Sequence, residues 1–497
     1  MAKWFSLRGD PGESEEELAR DFNHAHAIFA GVVDRNVVPA YPIFLLSVLQ
    51  ALENGTPVDA DASAYGYFYE LLVRTSLVET SDSVAYEVKS AYLAFLAHRM
   101  FTEDLEEPSY DDLRRIHEDY IDEYKLRLPL ERLLDSLTQA KILQASGDGY
   151  RFKYKYAFYY FVATYLKDHI SEPEVHALIS TMSQEIHVEK NANVFLFLAY
   201  LIKDPYVITE LLSAAQELYS TYSPAKFDDE IRFFHDSGAL ESLRFLDQDT
   251  SSARRNIMET ADVVRREVEK RQEVDQKDDI GDAYSDDSRR LEYAAAIKTL
   301  QILGQIVKSY PGSLRGDIKL AVTRECYMLG LRVVRNFLET IRERQARMID
   351  SYIEIARANG DVGSDQELLT RAKRAVFNFT QVMSSSLIKV TADAVGTRLL
   401  EEVHKQIVQE NPSNAVLLVD LSMKLDHQSQ FPDREIKTLY NQLKSNFPAL
   451  AVLRFLVIDH FLRYQRDFTT KQRTCDLLEI PYERIRVGST NLRPIGN

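Results

Sequence analysis

Two cysteines in 497 residues, Cys326 and Cys475, are too few for a disulfide scaffold or a cysteine-rich zinc site. A reducing, cytoplasmic setting is therefore expected. Glycine (18) and proline (15) are also scarce, leaving little turn chemistry for an extended sheet. Long apolar runs are missing as well. The most apolar stretches, near Phe44-Leu45-Leu46 and over 453–462, are short or broken by Arg454 and Asp459. A membrane span needs roughly 20 apolar residues, so none is expected. The opening Met1-Ala2-Lys3-Trp4-Phe5 leads into no secretory apolar core. Positive charge is in deficit, with 60 Lys+Arg against 76 Asp+Glu and a net charge of −16. Phosphates are repelled on average by such a chain, so neither nucleic acid nor an anionic membrane is an expected partner.

Motifs of bond chemistry are absent too. The early Gly9-Asp10-Pro11-Gly12-Glu13-Ser14 lacks the Gly-Lys-Ser/Thr ending that sets a lysine on the phosphates and a hydroxyl on magnesium, so it reads as a loop and helix start. His24 and His26 are two apart, a spacing that a helix splits onto different faces. Glu185, His187 and Glu189 would share a face only on a strand, and their neighbours read as a helix end. Asp82, Glu87 and Lys89 have the residue types of a carboxylate–lysine nuclease, but that centre needs a strand, and here Ser81 or Asp82 caps an amphipathic helix. No serine or cysteine stands in a nucleophile motif. The expectation is a non-enzymatic protein with no metal.

What is present is helical periodicity. Leu71, Leu72 and Leu77, then Val84, Val88, Tyr92, Phe95 and Leu96, recur at spacings of three and four, and similar stripes return through 175–218, 291–341 and 450–462. The interruption is 142–154, two strand-like runs joined by Ser146-Gly147-Asp148-Gly149, in which Gly147 and Gly149 can supply positive φ. An amphipathic helix from Pro129 to Ala140 precedes it and an aromatic helix, 156–166, follows. That order outlines a winged helix. Tyr150, Phe152, Tyr154, Tyr156 and their aromatic successors, with Lys153 and Lys155, suit nucleic-acid stacking. Helical spacing makes Phe158, Phe161, Val162 and Tyr165 a core face instead, and Arg132 and Lys141 are thin equipment for a recognition helix. The expected fold class is mainly α, a multi-domain helical protein with a winged-helix-like unit containing one small β-hairpin. The domains expected are 1–80, small and helical; 81–170, winged-helix-like; 171–284, a helical bridge and charged linker; and 285–497, a helical sensor or interaction region. The charged tract 267–290 marks one boundary, and the turn-rich Asn359-Gly360-Asp361 cluster a weaker break.

Two segments carry a family resemblance. Asn36-Val37-Val38-Pro39-Ala40-Tyr41-Pro42-Ile43-Phe44-Leu45-Leu46 resembles the proline-containing start of the small helical domain after the nucleotide-binding core of STAND NTPases, the NACHT- and NB-ARC-like signalling ATPases. Tyr150-Arg151-Phe152-Lys153-Tyr154-Lys155, followed by Tyr160, Ala163, Tyr165 and Leu166, resembles the end of their winged helix, and 194–220 resembles the helical segment beyond it. The resemblance spans 1–225. It implies that Pro39 or Pro42 packs near the adenine of a bound nucleotide and that Tyr154 stands where the family's nucleotide-sensing histidine is common. A tyrosine does not offer the imidazole's titration near neutrality, which weakens that coupling. With no P-loop present, the chain resembles the C-terminal portion of such a protein. The cofactor expected is none, with ATP or ADP entering only if the missing ATPase core is supplied elsewhere. Protein partners are expected, among them a split ATPase subunit. The implied function is signalling and sensing, with antiviral defence as the family setting. The alternatives are an all-α interaction scaffold and a hydrolase or nuclease whose catalytic residues are dispersed over 285–497.

Overall fold

The computed structural model describes residues 70, 73–78, 84–228, 230–231, 284–427, 430–463 and 466–480. The chain divides into two compact units, one of 1–217 with 297–323 and one of 218–296 with 324–497. The described residues are mainly α-helical, and their strands form one two-stranded antiparallel hairpin, as the sparse glycine and proline lead one to expect. No helix among them is long and apolar enough to cross a membrane.

Among the described residues of the first unit, a helical stretch over 73–78 precedes α1 (Tyr86–Thr102), which is followed by α2 (Tyr110–Glu123) and α3 (Leu130–Gln139), then β1 (Leu143–Ser146) and β2 (Gly149–Phe152). The unit continues through α4 (Lys155–Asp168), α5 (Pro173–Gln184), α6 (Glu189–Leu201) and α7 (Pro205–Glu217). Ala85, not Ser81 or Asp82, stands at the N-cap position of α1, and Lys89 is buried, donating to the Leu77 carbonyl at 3.4 Å. The sequence marks the start of α2 well: Ser109 Oγ accepts from Asp112 N at 3.2 Å while Asp112 accepts from Ser109 N at 3.1 Å. This reciprocal cap satisfies two amides that the first turn would otherwise leave unpaired.

The centre of this unit is α4, packed between α1 and α6. Its burial is wider than one stripe. Tyr156, Tyr159 and Tyr160 are buried along with Phe161, Val162 and Tyr165, while Phe158, expected in the core, is only half-buried. A helix apolar around most of its circumference belongs between neighbours, and α4 occupies such a place.

The second unit holds most of α9 (Gly316–Ala358), which follows α8 (Tyr284–Ser309), and then α10 (Asp365–Val395), α11 (Glu401–Glu410) and α12 (Asn414–His427). It ends in α13 (Asp433–Leu443), α14 (Phe447–Arg463) and α15 (Phe468–Leu478). Helix α8 therefore begins inside the charged tract read as a linker end. The turn-rich cluster does separate two helices, α9 and α10, with Gly360 at φ +83°. Helix α10 packs against α12 and α14, burying Ile388, Leu418, Val419, Leu453 and Val457. At Gly330 on α9 a Cβ would sit 2.7 Å from Thr391 Cγ2 on α10, so only glycine allows that approach.

Candidate functional site

The hairpin and its supports form the candidate site of the first unit. Leu143 pairs with Phe152, Gln144 with Arg151, Ala145 with Tyr150 and Ser146 with Gly149. The two glycines do different work. Gly147 takes the positive φ of the reversal, at +58°. Gly149 is not in the left-handed region; it permits contact with the entry to α2 instead. There Ser109 and Gly149 form a β-bridge, and Tyr150 N donates to the Pro108 carbonyl at 3.1 Å. Glu107 then clamps both strands, accepting from Ser146 Oγ and from Arg151, each at 2.9 Å. Lys153 N donates to the Ile142 carbonyl at 2.8 Å and closes the base. Sequence reasoning found the hairpin but missed Glu107, which no local motif marks.

Tyr154 lies at the junction of this hairpin with α4, at its N-cap position. It is half-buried and its ring stacks on Tyr156, with centroids 5.3 Å apart and planes at 14°. Lys153 Nζ lies 5.4 Å from the Tyr154 centroid. A flat aromatic surface beside an ammonium suits an aromatic or anionic group better than proton transfer. Pro39 and Pro42 lie outside the described residues, so only Tyr154 of the three expected site residues has a position here. Deeper in the unit, His98, Tyr165 and His169 stack in series, with 3.9 Å between successive rings. Burial pushes the His98 pKa down to about 4, with His169 and Arg99 adding to the effect.

In the second unit, chemistry-bearing side chains converge in one place. Lys389 on α10 pairs with Asp426 on α12 and, at 2.9 Å, with Asp459 on α14. His460 is 1% exposed, and its Nδ1 lies 3.4 Å from Asp426 Oδ1. Arg466 Nε donates to His460 Nε2 at 3.1 Å. The cluster lies within the region where a dispersed catalytic set was weighed. Its partners are far apart in the chain, so no spacing pattern announces it. Among the described residues, no group of His, Cys, Asp and Glu side chains is arranged to hold a metal ion.

A separate buried pair carries a pH consequence. Tyr327 Oη and His404 Nδ1 lie 3.1 Å apart, and burial pushes the His404 pKa down to about 4. Its unfolded value is about 6.5, so between these limits the unfolded chain binds the extra proton and stability rises with pH. The contribution is complete above about pH 6.5 and is lost as pH falls toward 4. On going from pH 7 to 5 the wild type should lose about 2 kcal/mol more than His404→Gln, which can bond to Tyr327 without titrating. Urea midpoints of the two proteins at each pH check this.

The model of the family described as Novel STAND NTPase 4 matches residues 106–162, from just before α2 through the hairpin to the middle of α4. No curated protein matches the chain. No solved structure matches it.

Proposed function

We propose that this chain is a non-enzymatic signalling and sensing module of a STAND-type protein, acting by changes in domain packing. The observation that carries the reading is where the family match falls. Residues 106–162 coincide with a helix–helix–hairpin–helix block that Glu107, Pro108 and Gly149 tie together. A block so tied can dock and undock as one body, which is what a two-state packing switch requires. In this reading the block is winged-helix-like. Tyr154 and Lys153, with Pro39 or Pro42 of the upstream helical domain, face a nucleotide when an ATPase core supplies one. Region 285–497 recognises a ligand or a protein partner in a cytoplasmic, defence-related pathway.

The hydrolase alternative would draw on the Lys389 cluster, but there Lys389 already bridges both carboxylates and His460 is buried, an arrangement that favours a structural role. Titrating ATP against the purified chain tests the proposal. Neither tight binding nor phosphate release is expected from the chain alone, and saturable turnover that survives further purification would overturn the reading.

A further inference from the structure

Helix α9 changes character along its length. It buries Val333, Val334, Leu338 and Ile341, yet over 342–358 none of its residues is fully buried. Helix α10 runs back beside this outer stretch. Arg357 pairs with Asp365 across the turn, and Arg371 holds both oxygens of Asp361, at 2.8 and 3.0 Å. Farther in, the rings of Phe337 and Phe379 lie 6.1 Å apart. The outer parts of the two helices thus form a hairpin arm whose tip is fixed by ion pairs. One neighbour covers one stripe of a helix, and by spacing Met348 and Tyr352 continue the stripe of Leu338 and Ile341. Ile349 and Ile353 form a second row, one helical turn apart, that stays half-exposed. Ile355 is 61% exposed and Val362, at the tip, 95%.

The charge on the arm says what covers that row. Acids gather at the tip, where 350–370 sets Asp350, Glu354, Asp361, Asp365 and Glu367 against Arg357, a net charge of −4. Bases gather at the root, where 342–349 and 371–376 set Arg342, Arg344, Arg347, Arg371, Lys373 and Arg374 against Glu343, a net charge of +5. Two such arms laid parallel would place like charge on like. Laid antiparallel, each acidic tip meets the other's basic root, and a two-fold axis near Ile349 makes the two contacts equivalent. Arg344 then comes level with Glu354 of the second copy, and Arg347 with Asp350 of the second copy. A face that carries both signs in this order is its own complement.

We propose that the outer α9–α10 hairpin is a self-association arm: two copies of this chain pair through it, antiparallel, and close their Ile349 and Ile353 rows on one another as a four-helix bundle. The face covered on each copy is about 25 Å long and about 20 Å across its two helices. Pairing therefore buries about 1,000 Å² in total, the lower limit for a specific contact, and the dimer forms reversibly. Its charged pairs lie at the rim, so added salt weakens it.

Sedimentation velocity of the full chain over a concentration series reads the pairing directly. The wild type should pass from 57.1 kDa to twice that mass as concentration rises through the micromolar range. A root variant, Arg344→Glu with Arg347→Glu, and a tip variant, Asp350→Lys with Glu354→Lys, should each self-associate at least tenfold more weakly. Mixed in equal amounts they should recover the dimer, because opposite charges then face one another at every pair. Ile349→Cys leaves the charges as they are and lies near the axis. Under a thiol oxidant such as diamide it should crosslink to itself at least tenfold faster than Val362→Cys, since Cys326 and Cys475 are buried. A wild type that stays monomeric, whether its arm is bare or meant for a different protein, would overturn the proposal. So would self-association that neither reversal weakens, a Val362→Cys that links as fast as Ile349→Cys, or folded variants that stay apart when mixed.

Discussion

Gly149→Val is expected to detach the hairpin from α2 and to cost about 3 kcal/mol, the upper end for forcing atoms into a filled space. A Cβ at this position would lie 2.8 Å from the Pro108 carbonyl carbon and closer still to its oxygen. Those are backbone atoms, held by the Ser109–Gly149 bridge and by the Tyr150 amide, so no side-chain rotation relieves the overlap. The hairpin would have to move as a whole, and Glu107 would lose Ser146 and Arg151 together. Gly147 is the control. A Cβ there meets nothing within 4 Å, and only its φ of +58° matters. Gly147→Ala should cost about 1 kcal/mol, and Gly147→Asn less, because asparagine tolerates the left-handed region. Urea unfolding of the three variants gives the order. A valine at 149 no worse than an alanine at 147 would mean that the contact with Pro108 does not hold the hairpin in place.

That pair of glycines also measures how far the sequence could be read. The reversal was legible because Ser146-Gly147-Asp148-Gly149 sits between two short apolar runs, and turn chemistry is local. The role of Gly149 was not, since it depends on Pro108, a residue brought close only by packing. Helix α4 shows the same division. Its existence followed from spacing, but spacing predicts one buried stripe, and packing between α1 and α6 buried Tyr156, Tyr159 and Tyr160 as well. Tyr154 could be singled out from its place in the Phe152-Lys153-Tyr154 run, whereas its stacking on Tyr156 needed the bend from strand to helix. The second unit was the least legible in chemical terms. A lysine or aspartate usually marks the polar face of a helix, so nothing in the sequence singles out Lys389 or Asp426, and Asp459 shows only as a break in an apolar stretch. Only the crossing of α10, α12 and α14 turns those faces inward.

Lys389→Met is the second substitution with a large expected effect. The lysine side chain is 10% exposed, and it is paired with Asp426 and Asp459, whose side chains are 7% and 20% exposed. Removing it leaves two carboxylates facing one another with little water to screen them, and stranding buried charge in this way typically costs about 3–5 kcal/mol. The methionine fills similar volume, so a cavity contributes little and the loss is electrostatic. That origin has two checkable consequences. Protonating a stranded carboxyl removes the repulsion, so the deficit of Lys389→Met against wild type should shrink as pH falls from 7 to 5. Adding Asp426→Asn and Asp459→Asn should recover most of the lost stability, because amides at those positions no longer repel. Lys405 supplies the contrast: it bridges Glu401 and Glu402 at 2.9 and 2.8 Å on the surface, where water and salt screen the pair. Lys405→Met should leave the urea midpoint where it is. If Lys389→Met and Lys405→Met shift the midpoint equally, the cluster is no more than a set of surface ion pairs.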